Sequence, residues 1–232
     1  MDAKSKTESS PHWKGQSRVL KLCHWCAKKQ DPKQKQFQAC GRCKEVIYCS
    51  KECQVASWPL HKEPCKASVN SKNAAAADPS AANAVAKFKK WHSLHLGPLR
   101  HAIICALDLG RNPAALDDNL LFIEIRLKAN HSDLPPKRQY EPVGGFTLTM
   151  AETREMLGNL GGGPLLDSLK DANAHMKKKG GLGVAAVLLQ TNDNVDMVKI
   201  VLPSPAVAKQ VQEADNWGEE WLQHLRKAME SD

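Results

Sequence analysis

The chain has 232 residues, 33 Lys and Arg against 25 Asp and Glu for a formal net charge of +8, with 42% of residues hydrophobic and 25% charged. That composition excludes a collagen-like or wholly disordered chain, and the length accommodates one full domain plus a small module. No apolar run, the longest being near Leu182–Leu189, approaches the roughly 18–20 residues of a membrane span, and the first 20 residues carry no apolar stretch of a secretory signal. The expectation is an intracellular protein, in nucleus or cytoplasm, with no membrane partner.

In chain order, residues 1–20 are polar and read as a flexible tail. Residues 21–66 hold seven of the eight cysteines, between Cys23 and Cys65. The basic excess lies in the same part, since residues 1–90 carry 18 Lys and Arg against 7 Asp and Glu while the remainder is slightly acidic. Residues 67–84 combine Ser, Asn and four alanines with Asp78-Pro79, and read as a linker with local helix at its Ala-rich ends.

Residues 85–232 alternate between helical and strand periodicity. Val85, Phe88, Trp91 and Leu94 predict a helix that Gly97-Pro98 breaks, and Pro98 opens a second helix ending near Gly110. Alternation from Leu121 to Leu127 predicts a half-buried strand, and Phe146–Met150 a shorter one. A helix over 164–179 stops at Gly180-Gly181. Val184–Leu189 and Val195–Leu202 flank a turn-rich connection and predict an antiparallel hairpin. A last helix runs from Pro205 to about Met229, with Trp217, Trp221 and Leu225 on one face. The sum is an α+β domain of unknown role with a largely antiparallel sheet.

The cysteine-rich stretch reads C-x2-C-x13-C-x2-C-x5-C-x3-C-x7-H-x3-C, with Cys23, Cys26, Cys40, Cys43, Cys49, Cys53, His61 and Cys65 as candidate ligands. Eight soft donors suffice for two four-coordinate structural zinc ions. The x3 spacings place Cys49/Cys53 and His61/Cys65 one helical turn apart. A disulfide framework competes, but an odd number of cysteines and a His at ligand spacing favour metal. The segment has few large apolar residues, and a module this small needs zinc in place of a core.

This string, with Tyr48-Cys49-Ser50-Lys51-Glu52-Cys53-Gln54 and Trp58-Pro59-Leu60-His61-Lys62, resembles a MYND-type zinc finger over about a fifth of the chain. The resemblance implies a cross-braced arrangement, with Cys23, Cys26, Cys49 and Cys53 on one zinc and Cys40, Cys43, His61 and Cys65 on the other. It also implies a protein-interaction module, in which Gln54 and Trp58 line a groove for a proline-containing peptide. Against that stands packing of Trp58 in the finger's own small core. The function expected is therefore zinc-dependent protein–protein interaction, as adaptor or regulatory component. The alternatives are a finger that acts as scaffold for a ligand-binding C-terminal domain, or a basic nucleic-acid-associated regulator drawing on Lys28, Lys29, Lys33 and Lys35. No aromatic ladder or recognition-helix pattern accompanies those lysines, and a solvated basic face explains them.

No catalytic residue and no enzyme activity are expected. Asn130-His131-Ser132-Asp133-Leu134-Pro135 echoes a motif of the SET-type lysine methyltransferases into which some MYND fingers are inserted, but fails it at Asp133. Those enzymes also begin their catalytic domain before the finger, whereas 22 residues precede Cys23 here. His101 and Cys105 lie one helical turn apart with Asp108 beyond, yet the Ile103-Ile104 and Ala106-Leu107 neighbours read as a buried structural cysteine. The glycine-rich stretches at Gly158–Gly163 and Gly180–Gly183 lack the context of a phosphate loop. His12, His92, His95 and His175 have no partner at metal-ligand spacing.

Overall fold

The computed structural model describes residues 21, 23–26, 28–158, 163–192 and 194–231; the expected tail at 1–20 and residues 159–162 of the first glycine-rich stretch lie outside them. Strand β1 (Gln38–Ala39) pairs antiparallel with β2 (Ile47–Tyr48), and both lead into helix α1 (Lys51–Ala77). Ser50 starts α1 by accepting the Cys53 N–H on its hydroxyl at 3.2 Å, a standard use of serine at a helix N-terminus.

The stretch expected as a linker, 67–84, is helical on both sides of one break. Alanine has the highest helix propensity of any residue, and α1 runs through all four alanines to Ala77. Asp78 then adopts an extended backbone, and its carboxylate accepts from the N–H groups of Ser80 and Ala81. With Pro79 fitting the first helical position, α2 (Pro79–Leu94) begins at once. The next break comes at His95, ahead of the expected Gly97-Pro98, and α3 (Leu96–Ala106) already contains both residues. Pro98 has no N–H for the carbonyl of Leu94, so a continuous helix fails one turn upstream of the proline while Pro98 itself sits harmlessly in the first turn of α3.

After a single turn, α4 (Ala115–Asp118), strand β3 (Asn119–Leu127) turns back as β4 (Tyr140–Thr149), with a register shift at Glu124/Ile125. Helices α5 (Met150–Gly158) and α6 (Gly163–Lys177) follow, then the hairpin β5 (Gly183–Thr191) and β6 (Asn194–Leu202), then α7 (Pro205–Ala214) and α8 (Trp221–Ser231). The sheet order is β4-β3-β5-β6, parallel between β3 and β5 and antiparallel elsewhere. The sheet is thus largely antiparallel, in an α+β domain.

Side-chain alternation divides the core into two layers. Leu121, Ile123, Ile125, Val187 and Ile200 pack with Phe88, Trp91, Ile103 and Leu225 of the helices on one face. Leu120, Phe122, Val184, Leu188 and Met197 pack with Leu157, Leu166 and Leu169 of α5 and α6 on the other. Both faces being covered, β3 is buried over Leu120–Ile123 rather than half-buried.

The expected last helix, 205–229, is two helices. The chain leaves α7 at Asp215 and re-enters helix at Trp221, with Gly218 at a φ of +49°. Trp217 and Trp221 both remain in the core. Gly183 is required both by its backbone and by its surroundings: it has a φ of +141°, and a Cβ there would lie 1.8 Å from Asn173 Oδ1. Among the described residues no helix is long and apolar enough to cross a membrane.

Candidate metal centres

Each donor is placed by a local device. The first knuckle carries Cys23 and Cys26, held by the Cys23 N–H on Lys28 O and the His24 N–H on Ile47 O, both at 2.9 Å. The second carries Cys40 and Cys43 and closes through Lys44, whose backbone is left-handed at φ +59° and whose N–H returns to Cys40 O. Cys49 follows β2 directly, and α1 presents Cys53, His61 and Cys65. Tyr48, 1% exposed, donates its hydroxyl to Ser57 Oγ at 3.4 Å, and His24 Nδ1 lies 3.0 Å from the same oxygen.

These devices gather two four-donor clusters, Cys23/Cys26/Cys49/Cys53 and Cys40/Cys43/His61/Cys65, with the donor atoms of each set within 4.8 Å of one another. Around zinc, with Zn–S about 2.3 Å and Zn–N about 2.0 Å, tetrahedral edges come to about 3.8 Å between sulfurs and about 3.5 Å between sulfur and nitrogen. Cys26–Cys49 is 3.6 Å, Cys49–Cys53 3.5 Å, Cys40–Cys65 3.8 Å and Cys43 Sγ–His61 Nε2 3.5 Å. A disulfide needs about 2.05 Å, and all eight cysteines are free thiols. The residues present fit two zinc ions, one held by four cysteines and one by three cysteines and a histidine.

The electrostatics agree with that donor set. Burial raises the Cys23 thiol, but backbone N–H groups of Cys26, Cys49 and Trp25 outweigh it and bring the group down to about 7. Cys40 is also lowered, by the amides of Cys43 and Arg42 against its burial. Burial pushes Cys43, Cys49 and Cys53 up, and Cys65 up to about 12, with neighbouring thiolates adding to the effect at each. Four thiolates at one site and three at the other would repel one another, and a divalent ion at each centre reverses that balance. Burial lowers His61, keeping the neutral imidazole that ligates metal. The second site is wholly buried, whereas in the first Cys26 is exposed and Cys49 and Cys53 are partly so.

Gln54 and Trp58 lie one turn apart on α1, both partly exposed, with Val55 64% exposed beside them. Trp58 packs against the finger's own core, its ring 6.2 Å from that of His61. Lys28, Lys29, Lys33 and Lys35 are all exposed. Cys105 is not joined to a base: it is 4% exposed, its thiol donates to Asp215 O at 3.6 Å, and Asp108 binds Arg111 and Gln212 instead. His101 Nε2 donates to the same Asp215 carbonyl at 2.6 Å. Ser132 and Asp133 fall in a short turn between β3 and β4.

Sequence reasoning missed what surrounds the clusters. Beyond its last ligand, α1 continues far enough for Lys72 to donate to Cys43 O and to stand 3.8 Å from Glu45, bracing the second knuckle. Lys179 Nζ donates to Trp25 O at 3.2 Å, and the Trp25 ring lies 4.4 Å from that of His175. Ser168 Oγ donates to Leu60 O at 2.8 Å. One signal for the last contact stood in the sequence: Pro64 inside a helix leaves the Leu60 carbonyl without its usual donor.

Residues 23–65 match the family described as MYND finger. Over the finger the chain is 42% identical to N-lysine methyltransferase SMYD2 of Homo sapiens across 43 residues, 18% of this chain and 9% of that protein. It is 57% identical to the Rattus norvegicus SMYD2 across 30 residues, 13% of this chain and 7% of the relative. It is 60% identical to SET domain and MYND-type zinc finger protein 6 of Schizosaccharomyces pombe across 30 residues, 13% and 6% respectively. The chain thus spans less than a tenth of the length of these curated relatives. No solved structure matches it significantly. The finger is a MYND-type finger with two zinc sites. The expectation that the chain is not an enzyme is overturned by the Homo sapiens and Rattus norvegicus relatives, which are named as N-lysine methyltransferases, although the similarity is confined to the finger.

Proposed function

We propose that this protein uses a cross-braced double-zinc finger to bind a protein partner through a proline-containing segment, as an adaptor or regulatory component. The interleaved order of the two donor clusters supports the cross-brace. The observation that carries the partner reading is the outer side of α1, where Gln54, Trp58 and exposed Val55 stand together while Leu60 is buried against the rest of the chain. An aromatic ring beside an exposed apolar side chain, on a helix that carries donors of both zinc sites, is the kind of rigid platform that proline-rich segments dock on. We take the chain as a finger at 21–66 followed by an α+β domain over 85–232. Seven cysteines gathered as zinc donors rather than as disulfides support a reducing compartment, nucleus or cytoplasm.

The test is binding of a library of proline-containing peptides to the zinc-loaded chain and to Trp58→Ala, each first shown to hold two zinc ions. The reading expects at least ten-fold weaker binding by the variant. Equal binding, or none by either protein, returns Trp58 to packing and the finger to a scaffold role. A second reading, N-lysine methylation, draws on the 57% identity to a methyltransferase across 30 residues of the finger. Transfer of label from a methyl donor to lysine-containing peptides tests it.

A further inference from the structure

A proline inside a helix removes the N–H that would serve the carbonyl four residues earlier. Helix α1 contains Pro59 and Pro64, which orphan the carbonyls of Val55 and Leu60. Val55 is 64% exposed and stands open to solvent, but Leu60 is 8% exposed and its carbonyl needs a donor from the protein. Ser168 of α6 provides it, at 2.8 Å. Lys199 of β6, 6% exposed, donates in turn to Ser168 Oγ at 3.3 Å. The result is a buried relay from the sheet, through α6, to one carbonyl of the finger.

That carbonyl has a telling position. Leu60 immediately precedes His61, and Pro64 immediately precedes Cys65, so the turn held by Ser168 carries two of the four donors of the second site. The same face of α6 reaches the first site as well. Leu165, Ser168, Ala172 and His175 recur at spacings of three and four along one stripe. His175 packs on Trp25, which sits between the donors Cys23 and Cys26.

We infer that α6 is the docking surface for the finger and that Ser168 is a positioning residue for the second zinc site, so that docking and zinc binding by Cys40, Cys43, His61 and Cys65 reinforce each other. The coupling is reciprocal: whatever docking adds to zinc affinity, zinc adds to docking. It deepens the zinc assignment and does not depend on the peptide reading above.

The experiment measures zinc release from the full, zinc-loaded chain into excess chelator, following both ions with a zinc-sensing dye. Ser168→Ala is expected to speed release of one of the two ions about five-fold, the worth of one net hydrogen bond, and to leave the other unchanged. Ser168→Thr keeps the hydroxyl, and a cavity of about 40 Å³ lined by Leu60, Leu165, Ala172 and Lys199 lies in the same seam; it is expected to release both ions at the wild-type rates. Pro64→Ala gives Leu60 O a donor from its own helix, so Ser168→Ala added to that background is expected to change release less than two-fold. Ile200→Val, on the opposite face of the sheet, controls for general loss of stability. Wild-type release by Ser168→Ala, equal acceleration by Ile200→Val, or an undiminished Ser168 effect with Ala at position 64 would each overturn the inference.

Discussion

At the scale of single residues, burial decides which cysteines can react. Cys105 donates its thiol to a backbone carbonyl at the junction of α7 and α8, and burial pushes that thiol up, with the Asp215 and Asp108 carboxylates adding to the shift. The reactive form of cysteine is the thiolate, so a raised group that is also 4% exposed is doubly protected. Labelling of the zinc-loaded protein with iodoacetamide at pH 8 is expected to modify Cys105 more than about ten-fold slower than the same chain in denaturant, as read by mass spectrometry of the peptide carrying it. Fast labelling in the folded state would count against a structural role. The sign of the pH dependence follows from the same shift. The unfolded thiol ionises before the folded one as pH rises, so the contribution of Cys105 is complete below the ordinary thiol range and is lost above it.

At the scale of elements, α1 and α2 are joined by one residue, and that residue is a cap. Asp78 satisfies two N–H groups at the start of α2. Asp78→Ala is expected to cost about 1 kcal/mol and to accelerate amide hydrogen exchange over 80–83 while leaving β5 protected; unchanged exchange would mean that tertiary packing alone holds the start of α2. This joint also shows where sequence reading succeeds and where it stops. The zinc ligands were legible because coordination geometry fixes their spacing, and the β5/β6 hairpin because Val184–Leu189 and Val195–Leu202 are apolar runs that bound a turn. Residues 67–84 were not, because alanine and small polar residues suit linker and helix alike, and only a continuous α1 with Asp78 at its end decides. The break after α7 was hidden for another reason. Trp217, Trp221 and Leu225 keep helical spacing across it, so the apolar pattern continues where the backbone does not. The contact of Ser168 with Leu60, 108 residues apart in the chain, has no local signature beyond Pro64.

At the scale of the whole molecule, the finger and the sheet are held by different forces. The finger's buried cluster consists largely of the metal ligands themselves with Val46 and Tyr48, whereas the sheet is packed on both faces by large apolar side chains that include none of the donors. Structural zinc contributes an apparent ~10–16 kcal/mol per ion in model fingers, more than so small a cluster provides. Excess chelator is therefore expected to unfold residues 21–66 and leave β3 and β5 intact. Circular dichroism should lose helix as α1 melts, while hydrogen exchange stays slow across Leu121–Ile123 and Val187–Leu189. Because α6 loses its neighbour, Leu165, Met197 and the stem of Lys199 become exposed, and an apolar dye should bind after chelation and leave when zinc is restored. Unchanged circular dichroism in excess chelator would mean that the finger does not need its metal. Loss of protection in β5 together with the finger would mean that the chain folds as one unit, with the zinc sites part of its single core.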